Sequence, residues 1–138
     1  MALILDTGPL YASMDRADPD HLACRELLEV SRESLVVPAP VLVEVEWLSR
    51  SRLGPLAFDA VLSSVGSGAL SVRDLDLEDW ARVRYLCRAY ADLPLGLVDA
   101  SVGVCAERLQ ERTIASLDRR HFSVVRPLHV PSLGLVPG

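Results

Sequence analysis

The sequence predicts an α/β domain with a mainly parallel central sheet of about five short strands and helices on both faces. Three observations carry the prediction. Short apolar runs at Ala2-Leu3-Ile4-Leu5, Leu35-Val36-Val37, Leu70 to Val72 and Thr113 to Leu117 alternate with longer stretches of helical periodicity. Gly and Pro mark many of the joints between them. Two of the runs stop on an acid, Asp6 and Asp118, at the carboxyl ends where open parallel sheets carry their functional crevice.

Each element has its own signal. The first run is a buried strand, which Thr7-Gly8-Pro9 turns into a helix through Leu10 to Met14. Asp18-Pro19 reads as a helix start, with an acid at the N-cap and Pro at the first helical position, and places Leu22, Leu27 and Leu28 on the inner side. After the second strand, closed by Pro38, the helical period returns from Val41 to about Ser51. Gly54-Pro55 restarts a helix that ends near Gly66-Ser67-Gly68, and Leu70 and Val72 alternate as a third strand. Asp76 and Asp79 open a long helix carrying Trp80, Val83, Leu86, Cys87 and Tyr90 at helical spacing. A loop from Asp92 to Gly96 leads to a helix from Val98 to Glu111, and Thr113 to Leu117 is the fourth strand. Phe122 to Val125 is expected to be the fifth, and the chain after Pro127 to be irregular.

Composition narrows the chemistry. The 138 residues fit one domain, and no apolar stretch reaches the roughly 20 residues of a membrane span. The start lacks the pattern of a signal peptide, so a cytoplasmic protein is expected. All 14 basic residues are Arg, which excludes P-loop, Schiff-base and receiver-domain lysines. Cys24, Cys87 and Cys105 form no C-x-x-C pair and sit at apolar helix positions, as core thiols do. His21, His121 and His129 have no metal-ligand spacing, and no nucleophile motif is present. The net charge of −5 is not the footprint of a nucleic-acid binder, although acids gathered around a metal would produce the same balance.

The acids themselves point to a metal. Glu44 shares a helix side with Val41, Val45 and Leu48, where it is either a stripe-edge residue reaching solvent or a ligand. Asp99 opens an otherwise apolar helix, either as a helix-start acid or as a ligand, whereas Asp74, Asp76, Glu78 and Asp79 read as solvated helix-start acids. If Glu44 and Asp99 converge with Asp6 and Asp118 at the strand ends, the four crowded carboxylates cannot all ionise without a cation. Hard divalent ions suit an all-oxygen donor set, and such a site equips a protein for metal-assisted phosphodiester hydrolysis.

These residues in this order resemble the PIN-domain nucleases, and more closely the VapC-type toxins of toxin–antitoxin pairs. The matching pieces are LILDTGPLYA (3–12), VPAPVLVEVEWL (37–48), YADLPLGLVDASV (90–102) and TIASLDRRHFSVVRP (113–127), which together span nearly the whole chain. The resemblance implies a single PIN domain over residues 1–138 with a three-layer α/β/α fold. It also implies an Mg2+- or Mn2+-dependent endoribonuclease, an RNA substrate, inhibition by a small antitoxin, and a homodimer. By match to the motifs, Asp6, Glu44, Asp99 and Asp118 take the four acidic metal positions. Thr7 and Ser116 become hydroxyl neighbours, and Asp92 a supporting acid. Arg119 and Arg120, which follow Asp118, are candidate contacts to RNA phosphate or to the antitoxin.

Competing readings lack their signatures. A haloacid-dehalogenase-type phosphatase needs a second Asp where Gly8 stands, and a dinucleotide fold needs a G-x-G-x-x-G turn. A housekeeping RNA-processing nuclease of the same fold, and a PIN-like binding module without activity, are the remaining alternatives.

Overall fold

A computed structural model describes all of residues 1–138. Its strands are β1 (Ala2–Leu5), β2 (Ser34–Pro38), β3 (Leu70–Arg73), β4 (Thr113–Ala115) and β5 (Gly134–Val136). The helices are α1 (Thr7–Met14), α2 (His21–Val30), α3 (Ala39–Leu53), α4 (Asp59–Ser67), α5 (Leu77–Ala89), α6 (Leu97–Leu109) and α7 (Arg119–Phe122). One sheet in the order β3-β2-β1-β4-β5 contains all five strands, and every neighbouring pair is parallel. From β1 the chain builds outward to β3 on one side, then crosses back to β4 and β5 on the other. Right-handed crossovers running in opposite directions cover opposite faces, so helices lie on both sides.

β1 sits at the centre, with Ile4 opposite Val36 on one side and Ile114 on the other. Leu3, Ile4 and Leu5 are all buried, as a strand covered on both faces requires. They join Val36, Val37 and Ile114 from the sheet, Leu10 from α1, Val41 and Val45 from α3, and Val102, Cys105 and Ala106 from α6 in one core. A smaller cluster of Val83, Leu86, Ala100, Val104 and Val125 ties α5 to α6 and to the segment after α7. All three cysteines are free thiols, Cys24 and Cys105 buried and Cys87 half-buried. No helix is long and apolar enough to cross a membrane.

Several expectations are corrected. Phe122 to Val125 is not a strand: Asp118 caps the single turn of α7 by accepting the His121 N–H at 3.0 Å, and Phe122 and Val125 are buried as anchors of that turn. The fifth strand lies instead at Gly134–Val136, inside the stretch expected to be irregular, with Gly134 opposite Thr113. A side chain at Gly134 would bring its Cβ to 3.2 Å from Thr113 Oγ1, so the close approach of the strands favours Gly. α2 begins at His21 rather than at Pro19, because Asp18 folds a turn by accepting the Asp20 N–H, and Leu22 points to solvent. Turns occupy residues 55–58, which delays α4 to Asp59, and Trp80 is half exposed.

One of the acids read as solvated is built into the fold, and a second ion pair lies beside it. Asp79 is buried, completes a capping box with Asp76, and takes the Arg108 guanidinium at 2.8 Å. Arg82 makes a two-pronged pair with Glu107 at 2.9 and 2.8 Å, and Glu107 also accepts the Leu128 N–H at 2.8 Å. That second bond holds the segment leading to β5 against α6. Glu107→Ala leaves a half-buried guanidinium and a backbone N–H without partners, so it is expected to lower the unfolding free energy by about 2 kcal/mol. Urea denaturation measures this, and replacing Arg82 as well is expected to recover part of the loss.

Candidate metal centre

The β1/β4 pairing sets the site. The ladder continues one residue past β1, where the Asp6 N–H donates to the Ala115 carbonyl at 2.9 Å, so Asp6 emerges beside the end of β4. This junction is where the strand order reverses direction, the position at which open α/β sheets leave a crevice. Asp6 is only 5 % exposed. One carboxylate oxygen accepts the Thr7 N–H at 2.8 Å and the other the Ser116 hydroxyl at 2.7 Å. Ser116 Oγ in turn accepts the Asp118 N–H at 3.0 Å, which couples the first and fourth acids through one buried hydroxyl.

Asp99 enters from the first turn of α6, and Glu44 from α3. Asp6, Glu44, Asp99 and Asp118 line a single pocket of about 440 Å3, with Thr7, Gly8 and Leu117 completing the wall. α3 buries the line Val41, Val45 and Ser49, whereas Leu48 is half-buried and Trp47 exposed. Glu44 therefore sits at the rim of the stripe, exposed at the pocket mouth. Gly8 packs closely under Leu117, where an added Cβ would lie 3.2 to 3.3 Å from that side chain.

Other residues singled out in the sequence fall as follows. Thr7 is buried beside Asp6, and its Oγ1 has no hydrogen-bond partner in the protein. Asp92 is exposed on the loop before α6 and does not line the acidic pocket. Arg119 and Arg120 are exposed on α7, and Arg119 donates to the Pro137 carbonyl at 3.3 Å.

Sequence reasoning missed His121. Its Nδ1 lies 2.6 Å from Asp118 Oδ2 and 3.0 Å from Asp99 Oδ2, but in hydrogen-bond geometry to neither, while Nε2 contacts the Leu93 carbonyl at 2.9 Å. Asp99, Asp118 and His121 are close enough together to hold one ion. The missed signal was the three-residue offset in Asp118-Arg119-Arg120-His121, which folds the ring back over its own N-cap.

The electrostatics are those of a site short of positive charge. Burial raises the Asp6 carboxyl to about 6 against the lowering effect of Ser116 and Thr7, and Asp99 and Asp118 push it further up. Burial is also the main cause raising Asp99, with Asp118 and Glu44 adding to it and His121 opposing. An oxygen-rich cluster with unpartnered buried atoms at Thr7 Oγ1 and His121 Nδ1 has the donor chemistry of a hard divalent cation site.

Comparison with known proteins places the chain in a family. A family model described as PIN domain matches residues 3–127. The chain belongs to the PIN-domain family. Ribonuclease VapC26 of Mycobacterium tuberculosis is 36% identical over 135 residues, which are 98% of this chain and 100% of that protein. Among solved structures, VapC20 of Mycobacterium tuberculosis, a sarcin-ricin loop cleaving toxin, matches with a TM-score of 0.80 at 16% identity over 94% of this chain and 98% of that one. A toxin–antitoxin complex from Klebsiella pneumoniae matches with a TM-score of 0.65 at 15% identity, covering 89% of this chain and 92% of its own. At those identities the structural likeness shows the shared three-layer α/β/α fold.

In this PIN domain the Asp6 carboxyl titrates above its ordinary value near 3.8, so between the two values the folded state holds more protons than the unfolded one. Stability from this source is fully present below about pH 3.8 and is lost as pH rises through about 6. The difference is on the order of 3 kcal/mol for metal-free protein. Unfolding free energies of metal-free wild type and Asp6→Asn across pH 4 to 7.5 are expected to diverge with rising pH, the variant becoming the more stable. Parallel curves would show that Asp6 carries no such burial cost.

Proposed function

We propose that the chain, as a single PIN domain over residues 1–138, is a divalent-metal-dependent endoribonuclease of the VapC toxin type. The observation that carries this reading is the convergence of Asp6, Glu44, Asp99 and Asp118 on one pocket at the β1/β4 junction. The relationship to Ribonuclease VapC26 over nearly the full length of both chains supports the nuclease assignment.

Mg2+ or Mn2+ would be held by Asp6, Asp99 and Asp118, with Glu44 completing the site or orienting water at its mouth. The ion, when bound, supplies acidity to water and positive charge against phosphate oxygens. Ser116 and the Thr7 amide keep both Asp6 oxygens oriented, so the carboxylate needs no rearrangement to meet its partner. Glu44, exposed at the pocket mouth, would accept a proton from the attacking water. Hydrolysis in this way leaves a 5′-phosphate and a 3′-hydroxyl. Arg119 and Arg120, exposed beside Asp118, would meet RNA phosphates or an antitoxin carboxylate.

The reading includes action in the cytoplasm, a cognate small antitoxin and a homodimer. Free thiols fit a reducing compartment. Two apolar surfaces support protein partners: a cleft among Leu10, Met14, Leu28, Leu53 and Val61, and a face with Val43, Trp47, Trp80 and Leu97 that begins at Glu44.

Purified protein is expected to cut RNA only with Mg2+ or Mn2+ present, and EDTA to stop it. Asp6→Asn and Asp99→Asn, each still folded by circular dichroism, are expected to slow cleavage by about 100-fold or more. Folded Asp6→Asn protein cutting at the wild-type rate would refute the site. Growth arrest on expression, relieved by a small protein encoded beside the gene, separates a toxin from a housekeeping nuclease.

A further inference from the structure

We propose that His121 is a nitrogen ligand of the metal centre, alongside Asp99 and Asp118, and that it biases the site toward Mn2+ over Mg2+. The proposal rests on the metal-dependent reading above and adds a residue that the four-acid pattern does not contain.

Geometry carries it. The capping bond from the His121 N–H to Asp118 Oδ1 leaves Asp118 Oδ2 free beside the ring, 2.6 Å from Nδ1, and Asp99 Oδ2 stands 3.0 Å from the same nitrogen. Adjacent ligands on an octahedral ion with bonds of about 2.1 Å stand about 3 Å apart; the Asp99 contact matches that spacing, and Asp118 would have to open slightly from 2.6 Å. Nδ1 is buried and lacks a hydrogen-bond partner, because neither carboxylate lies where an N–H on that nitrogen would point. Nε2 meets the Leu93 carbonyl at 2.9 Å, an acceptor only, so this nitrogen donates its proton there and Nδ1 is the ring atom left facing the two carboxylates. Metal-bound histidines are commonly held in this way, with the distal N–H donated to a backbone carbonyl. A ring protonated on both nitrogens and paired with the two acids is the competing arrangement, and it would direct an N–H toward one of them.

The consequence is selectivity. Mg2+ favours oxygen ligands and water, whereas imidazole suits first-row transition ions, so one nitrogen among carboxylates tilts the balance toward Mn2+. His121→Asn puts an amide oxygen near the place of Nδ1 and makes the donor set all-oxygen.

Pulsed electron paramagnetic resonance on Mn2+-loaded protein reads the ligand directly. Wild type is expected to show nitrogen coupling of a directly bound imidazole, changing to the 15N pattern when the chain carries 15N-histidine and disappearing in His121→Asn. His21 and His129 are engaged elsewhere, with the Ala12 and Glu111 carbonyls, so they do not confuse the label. Calorimetric titration is expected to show the Mn2+-to-Mg2+ affinity ratio falling by about tenfold in His121→Asn. The labelled wild type keeps the test valid if the variant misfolds. Mn2+ bound in an Asp99-dependent manner without nitrogen coupling would overturn the role of His121 and leave the nuclease reading intact. No Asp99-dependent Mn2+ binding, together with no RNA cleavage, would overturn both.

Discussion

The parallel pairing of β1 with β4 is the constraint on which the rest of the site depends. It sets Leu5 opposite Ala115, extends by one more bond to Asp6, and thereby delivers two acids from distant parts of the sequence to the same edge of the sheet. Asp99 and Glu44 arrive on α6 and α3, helices whose inner faces share the core with β1. Packing that buries Ile4, Val41, Val45 and Val102 therefore also fixes the spacing of four carboxylates. Like charges held so close work against folding in the absence of a cation. The hydrophobic core holds an arrangement that electrostatics alone would disperse.

Polar contacts around the acids reduce that cost without abolishing it. Ser116 and the Thr7 amide bind Asp6, the first turn of α6 directs its partial positive charge at Asp99, and α7 uses Asp118 as its cap. Around the pocket there remain a raised Asp6, a raised Asp99, and two of the three unpartnered buried side-chain atoms, Thr7 Oγ1 and His121 Nδ1, the third being His129 Nδ1. Unpartnered buried atoms beside four carboxylates mark a place whose chemistry suits a ligand.

Much of this was legible in the sequence, because its strongest signals are local. A buried apolar run ending on Asp6, the Asp76 and Asp79 helix start, and the helical period through Val83 and Leu86 each announce an element from a few residues. What escaped was set by contacts far apart in sequence. Asp79 read as solvated until Arg108 was placed beside it. Gly134–Val136 is too short to show alternation and becomes a strand only through pairing with β4. His121 failed a test for ligand spacing that counts only histidines and cysteines, although its neighbours in space are acids from two elements. Placement of the four acids in one pocket needed the fold as well as the motifs.

The central claim is that the carboxylate cluster at the β1/β4 junction exists to hold a divalent cation. Anomalous diffraction from crystals grown with Mn2+ addresses it most directly. The account requires a manganese peak bounded by Asp6, Asp99 and Asp118. A protein that cleaves RNA in a Mn2+-dependent manner, yet shows its only manganese peak away from these residues, would contradict it.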